Sequence, residues 1–187
     1  MIEKSDKELL ELFQKSGDAN QAFELIVRKY QRKIYQVIRR LLVDHDDTHD
    51  VMQNTFIKAW KGLSNFREDA QLYTWLYRIA TNESLTFLSK SKKNLQQSID
   101  EYFEVSDHAD SSVPDLNGED IQHRLQRAIE TLPEKQRVVF NMKYYDELKY
   151  EEMSEILDTS VGALKASYHI AVKKIEEYLR QTLNQAS

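Results

Sequence analysis

No cysteine occurs in the 187 residues, which excludes disulfides and thiolate metal sites and matches the usage of a reducing compartment. Turn residues are scarce too, with two prolines and four glycines. That leaves little for the hairpins of a β fold, while abundant Leu, Lys, Glu, Gln and Tyr favour long helices, so an all-α protein of one or two small domains is expected. No apolar run approaches the roughly 20 residues that span a bilayer, and the N-terminal stretch MIEKSDKELL is charged from its third residue. These features predict a cytoplasmic protein without membrane insertion. Catalytic signatures are missing as well: there is no Gly-rich phosphate loop, no G-x-S-x-G elbow and no carboxylate pair in an apolar pattern. Neither an enzyme nor a cofactor is expected.

What is present is unevenly distributed charge. The chain carries a net charge of −5. Residues 1–95 hold 16 basic and 13 acidic side chains, residues 96–120 hold 8 acidic and no basic ones, and residues 121–187 hold 10 of each. The middle segment, QQSIDEYFEVSDHADSSVPDLNGED, follows neither a helical nor a strand period and reads as a flexible acidic linker between two helical domains.

Before the linker, Ser5 and Glu8 make a capping box ahead of LLELF, and Gly17 supplies a stop. Ala22, Phe23, Ile26, Tyr30, Ile34, Ile38 and Leu41 then recur at steps of three and four, the stripe of a longer helix with Arg and Lys on its other side. In VMQNTFIKAWKGL, Val51, Met52, Thr55, Phe56, Ala59, Trp60 and Leu63 form an inward stripe, leaving Gln53, Asn54 and Lys61 outside. A fourth helix through LYTWLYRIATNESLTFLSK puts Leu72, Trp75, Leu76, Ile79 and Leu85 inward and Tyr73, Tyr77, Arg78 and Asn82 at the surface. Lys90, Lys92 and Lys93 close it, where cations suit a helix C-terminus. After the linker, helices are expected at 121–131, 134–145, 150–157 and 161–183. Asp158 stands where a left-handed turn residue is needed, and Thr159 or Ser160 caps the last helix.

The cluster His45, Asp46, Asp47, His49 and Asp50 offers metal-ligand types. Helix capping by Asp47 or Thr48, with acids complementing the helix dipole, accounts for it better, and no metal is expected. Tyr73 and Tyr77 share their helix with Arg78 and Asn82, the combination of stacking face, cation and amide that single-stranded DNA needs. YEEMSEILDTSVGALKASY, from Tyr150 to Tyr168, has the spacing of a helix-turn-helix, yet its second helix offers one Lys in its opening turns.

Together these residues resemble the extracytoplasmic-function sigma factors, the small subunits that direct bacterial core RNA polymerase to promoters. HDVMQNTFIKAW is similar to the family's core-binding motif, and FREDAQLYTWLYRIATN to its segment for melting and reading the −10 element. LPEKQRVVF and the helix-turn-helix are similar to its −35 domain. The resemblance implies a region 2 domain over 1–95, the linker over 96–120 and a region 4 domain over 121–187. It implies docking on polymerase by Asp50, Gln53 and Asn54, with Phe56 as core support. It implies capture of a flipped −10 base by Phe66, Arg67, Gln71, Tyr73, Thr74, Arg78 and Asn82, with Lys90, Lys92 and Lys93 on phosphates. Contact with the −35 element falls to Arg137, Ser160, Ala163, Lys165, Ala166, Ser167, His169 and Lys173. Within the last helix three arginines common in the family are missing, so Lys165 is left for a phosphate or a guanine. Ala163 and Ala166 can meet thymine methyls, which implies a T-rich upstream element.

A monomer that borrows its DNA affinity from polymerase explains the acidic chain, because a tethered reader acts at high effective concentration. The family further implies an anti-sigma partner, and it gives the carboxylates of Asp100, Glu101, Glu104 and Asp107 a second reading, as mimics of RNA in the polymerase cleft. Two rivals remain at this level. A two-domain helix-turn-helix regulator would bind duplex operator DNA as a dimer without polymerase, and a helical adaptor would have no DNA role.

Overall fold

The computed structural model describes residues 4–15, 17–42, 44–66, 71–99 and 118–184, with side chains described up to 92 and again from 121 to 182. Among the described residues every regular element is helical. The chain divides into two compact units, Met1–Ser91 and Lys92–Ser187.

In the first unit, α1 (Asp6–Gln14) begins at the expected capping box: the Glu8 backbone N–H donates to Ser5 Oγ at 3.3 Å while the Ser5 N–H donates to Glu8 Oε2 at 2.7 Å. Gly17, at φ 102°, supplies a left-handed residue before α2 (Ala19–Leu42). On α2 the periodic stripe Ala22, Ile26, Tyr30, Ile34 and Ile38 is buried. The Tyr30 hydroxyl donates to Asp6 at 2.6 Å and Lys29 pairs with the same carboxylate at 2.9 Å, which ties α1 onto α2. α3 (His45–Gly62) and a short 3-10 turn (Leu63–Asn65) pack on α2, and α4 (Leu72–Ile99) adds Leu72, Leu76 and Ala80 to the same core. Ile26, Ile34, Ile38 and Leu76 are fully enclosed, and burial of each such side chain contributes about 1.5–3 kcal/mol.

Helix faces that must pack closely carry small hydroxyls. Thr55 Oγ1 donates to the Val51 carbonyl and Ser84 Oγ to the Ala80 carbonyl, both at 2.8 Å, so these buried groups are satisfied within their own helices. Gly62 serves a similar end, since a Cβ there would lie 3.1 Å from the Trp75 ring.

In the second unit, α5 (Gly118–Glu130), α6 (Glu134–Tyr144), α7 (Tyr150–Leu157) and α8 (Val161–Asn184) follow in order. Their core gathers Ala128, Ile129, Leu132, Phe140, Ala171 and Ile175, with Met153, Ile156 and Leu164 also buried. Phe140 stacks between Tyr144, at 5.1 Å, and Tyr168, at 5.8 Å. Burial pushes the Tyr168 hydroxyl above its usual range, with the neighbouring Tyr150 and Tyr144 acting in the same direction.

Two expectations about ends are corrected. α4 does not close at its lysines but runs on to Ile99, because Asn94 to Ser98 contain no breaker, so Lys90, Lys92 and Lys93 are not at its C-terminus. α5 likewise begins at Gly118, within the stretch assigned to the linker. The acids Asp100, Glu101, Glu104 and Asp107 lie outside the described residues.

Candidate polymerase and nucleic-acid interfaces

α3 is capped one turn earlier than expected. Asp44 Oδ1 accepts the Asp47 N–H at 3.0 Å, so neither Asp47 nor Thr48 is the cap. Thr48 is fully buried and returns its hydroxyl to the Asp44 carbonyl at 2.5 Å. The backbone bond from Asp47 holds the Asp44 carboxyl below the usual range. Desolvation, with the carboxylates of Asp44, Asp50 and Asp46, raises that of Asp47. The histidines beside them form a ring cluster: Tyr35 Oη lies 2.8 Å from His45 Nδ1, and the His45 and His49 rings meet edge to face at 4.6 Å.

Along the outer side of α3, Asp50, Gln53 and Asn54 are exposed and Phe56 is buried beneath them. Two apolar residues share the open side: Ile57 is 45 % exposed and Trp60 37 % exposed. The helical spacing places Trp60 inside. Instead its ring leans edge-on against Phe13 at 5.4 Å and Phe23 at 5.1 Å, because α1 covers only part of it. Ile57 had no place in the sequence reading. Its signal was available, as the single large apolar residue off the inward stripe of VMQNTFIKAWKGL.

On α4 the candidates separate into two groups. Thr74, Arg78 and Asn82 recur at four residues and form one ridge, with Gln71 just ahead of the helix, and all are exposed except the partly buried Thr74. The tyrosines turn inward. Tyr77 is 2 % exposed, which corrects its surface assignment. Tyr73 is partly buried: it stacks on Tyr30 at 5.9 Å, takes the Tyr77 edge at 5.9 Å and lies under the Lys33 ammonium at 5.5 Å. Tyr73 meets α2 through Tyr30 and Lys33, and Tyr77 packs on Tyr73, contacts that a single-period reading does not anticipate. Phe66 rests on Trp75 at 5.1 Å. Lys90 and Lys92 are exposed, whereas Arg67 and the side chain of Lys93 lie outside the described residues.

The helix-turn-helix is built as its sequence predicts. Asp158 takes the left-handed conformation at φ 49° and ψ 47°, and Ser160 caps α8 by accepting the Ala163 N–H at 3.3 Å. The α8 surface presents Ala163, Lys165, Ala166, His169, Ile170 and Lys173, with Ser167 partly buried. Arg137 departs from expectation. It is 9 % exposed in α6, and its Nε is buried without a hydrogen-bond partner among the described residues. Desolvation lowers its pKa, against the raising effect of Glu134 and Glu130. Missing from the sequence reading is Tyr150, whose ring lies under the ammonium groups of both Lys143, at 5.1 Å, and Lys165, at 5.6 Å.

Comparison with known proteins agrees with this arrangement. The family description Sigma-70 region 2 matches residues 26–94, and Sigma-70, region 4 matches residues 122–175. The chain is 33 % identical over the full length of both proteins to the RNA polymerase sigma-H factor of Pseudomonas aeruginosa. It is 32 % identical to the ECF RNA polymerase sigma-E factor of Escherichia coli K12, covering 92 % of this chain and 93 % of that one. The fold is similar to that of the sigma factor RpoE from Bartonella quintana, solved in complex with the anti-sigma factor NepR (TM-score 0.66, 22 % identity, 84 % of this chain and 96 % of that chain). It is also similar to that of CnrH in complex with the cytosolic domain of CnrY (TM-score 0.65, 21 % identity, 95 % and 99 %). The regulator without polymerase is thereby disfavoured. With both sigma regions matched in order and full-length relatives above 30 % identity, the chain belongs to the extracytoplasmic-function sigma factors of RNA polymerase.

Proposed function

We propose that this sigma factor divides its work among three helical faces. The outer side of α3, with Asp50, Gln53 and Asn54 over buried Phe56, docks on core polymerase. Gln71, Thr74, Arg78 and Asn82 hold a base turned out of the opened −10 element, with Phe66, Arg67 and Tyr73 alongside and Lys90, Lys92 and Lys93 on the backbone. Ser160, Ala163, Lys165, Ala166, Ser167, His169 and Lys173 meet the −35 duplex. Arg137, being enclosed, supports α6 in this reading and does not read DNA.

The observation that carries the proposal is the polar ridge on α4. An arginine and an asparagine one turn apart supply the cation and the amide that a splayed base requires, on a helix whose opposite side enters the core through Leu72, Leu76 and Ala80. Flipping a base costs a few kcal/mol, which such a ridge offsets only when the base is presented out of its stack. The chain acts in the cytoplasm as a monomer, and no helix among the described residues is long and apolar enough to cross a membrane. An anti-sigma partner is part of the proposal, supported by the similar fold of RpoE, which was solved in complex with the anti-sigma factor NepR.

Run-off transcription with purified core enzyme tests it. Asn82→Ala should reduce transcription from a duplex promoter roughly ten-fold, the worth of one lost edge contact, while leaving holoenzyme assembly intact. Unchanged transcription would remove Asn82 from the reading face.

A further inference from the structure

The contact of two lysines with one tyrosine ring is not used by any step above. Lys143 comes from α6, Tyr150 from the first position of α7 and Lys165 from the first turns of α8, so three helices bring their side chains together. Lys143 is partly buried and its Nζ donates to the Leu148 carbonyl at 3.0 Å, which fixes the ammonium in place and closes the α6–α7 loop. That loop is itself set by the left-handed Glu147 at φ 53° and by the Leu148 N–H donating to the Met142 carbonyl at 3.1 Å. Lys165 is exposed, yet its ammonium lies 5.6 Å from the Tyr150 ring centroid, within the range in which a π face attracts a cation.

With both ammonium groups held near one ring, at 5.1 and 5.6 Å from its centroid, their charges add at this corner of the domain and attract an anion to it. The place of the pair in the fold identifies the anion. In a helix-turn-helix the first helix crosses the DNA backbone while the second enters the major groove. Tyr150 belongs to the first helix, so a lysine drawn toward it is drawn away from the base edges and toward the phosphates.

We propose that Lys143, Tyr150 and Lys165 form a seat for one backbone phosphate beside the upstream element. Lys143 is then a second DNA-contacting cation, and Tyr150 is a positioning residue that holds Lys165 off the bases. The proposal rests on α8 reading the −35 duplex, and it settles the choice between phosphate and guanine for Lys165. Discrimination falls to Ala163, Ala166 and His169, while Lys165 supplies affinity that is indifferent to sequence.

The test uses the full chain assembled with core polymerase, on promoter fragments carrying the preferred upstream element and its single-base variants, from about 50 to about 200 mM salt. Lys165→Gln should lower the slope of log affinity against log salt by about one and weaken all fragments by a common factor. Lys143→Gln, which keeps a donor for the Leu148 carbonyl, should shift the slope in the same direction. The double variant should lose no more than about one unit, since both cations meet one phosphate. Tyr150→Phe should behave as wild type, and Tyr150→Leu should follow Lys165→Gln; if Tyr150→Leu does not fold, the two lysine variants decide the matter.

The seat is overturned by a Lys165→Gln variant whose base preference changes, by a slope indifferent to Lys143→Gln, or by a double variant that loses about two units. Equal losses in Tyr150→Phe and Tyr150→Leu would assign the role to the hydroxyl and overturn the ring. Should the wild-type holoenzyme itself be insensitive to the upstream sequence, the reading of α8 falls and the seat with it.

Discussion

Asp44 shows how a single side chain sets where α3 begins. Its carboxylate accepts the Asp47 N–H, satisfying one of the donors left open at the start of α3, and that bond lowers its pKa. A group whose folded pKa is depressed contributes stability above its unfolded value, about 3.9 for Asp, and loses it as pH falls through the folded one. Asp47 has the opposite sign: its raised pKa means that protonation there favours the folded state and offsets part of the loss. Asp44→Asn keeps the cap without the charge. Thermal melts from neutral pH into the acid range should therefore show a steeper acid loss for wild type than for Asp44→Asn. Parallel curves would mean that Asp44 does not supply the acid limb. At this scale the sequence located the acidic cluster but not its member that caps, because four acids within seven residues present the same pattern to a reader of spacing.

At the scale of elements, the outer face of α3 combines polar residues with a 45 % exposed isoleucine, a pattern suited to a protein partner. Ile57→Asp should abolish or strongly weaken holoenzyme formation in a pull-down with core enzyme, yet move stability by no more than about 0.5 kcal/mol, as exposed substitutions do. A melt shifted far beyond that, or undiminished assembly, would show the face to be structural or unused. The helices themselves were legible, since Ser5 with Glu8, the stripe from Ala22 to Ile38 and the Asp158 break each state a local rule that the packing obeys. The inward turn of Tyr77, the partial exposure of Trp60 and the burial of Arg137 were not legible, because each depends on what a second helix covers. The meeting of Lys143 with Tyr150 was hidden for a related reason: it crosses a loop whose shape depends on Glu147 adopting positive φ without the glycine that would announce it.

For the whole molecule, the decisive quantity is charge. A chain of net charge −5, with one lysine in the opening turns of the second helix of its helix-turn-helix, is expected to release few counterions on duplex DNA and to bind it weakly alone. Joined to polymerase, the same faces act at high effective concentration, so weak contacts suffice to choose a promoter. The most direct measurement is a binding titration of one labelled duplex promoter by the purified full-length chain, with and without core RNA polymerase, at the same salt. Retention of the promoter only when core is present is the expected result, and tight binding of the duplex by the chain alone would contradict it.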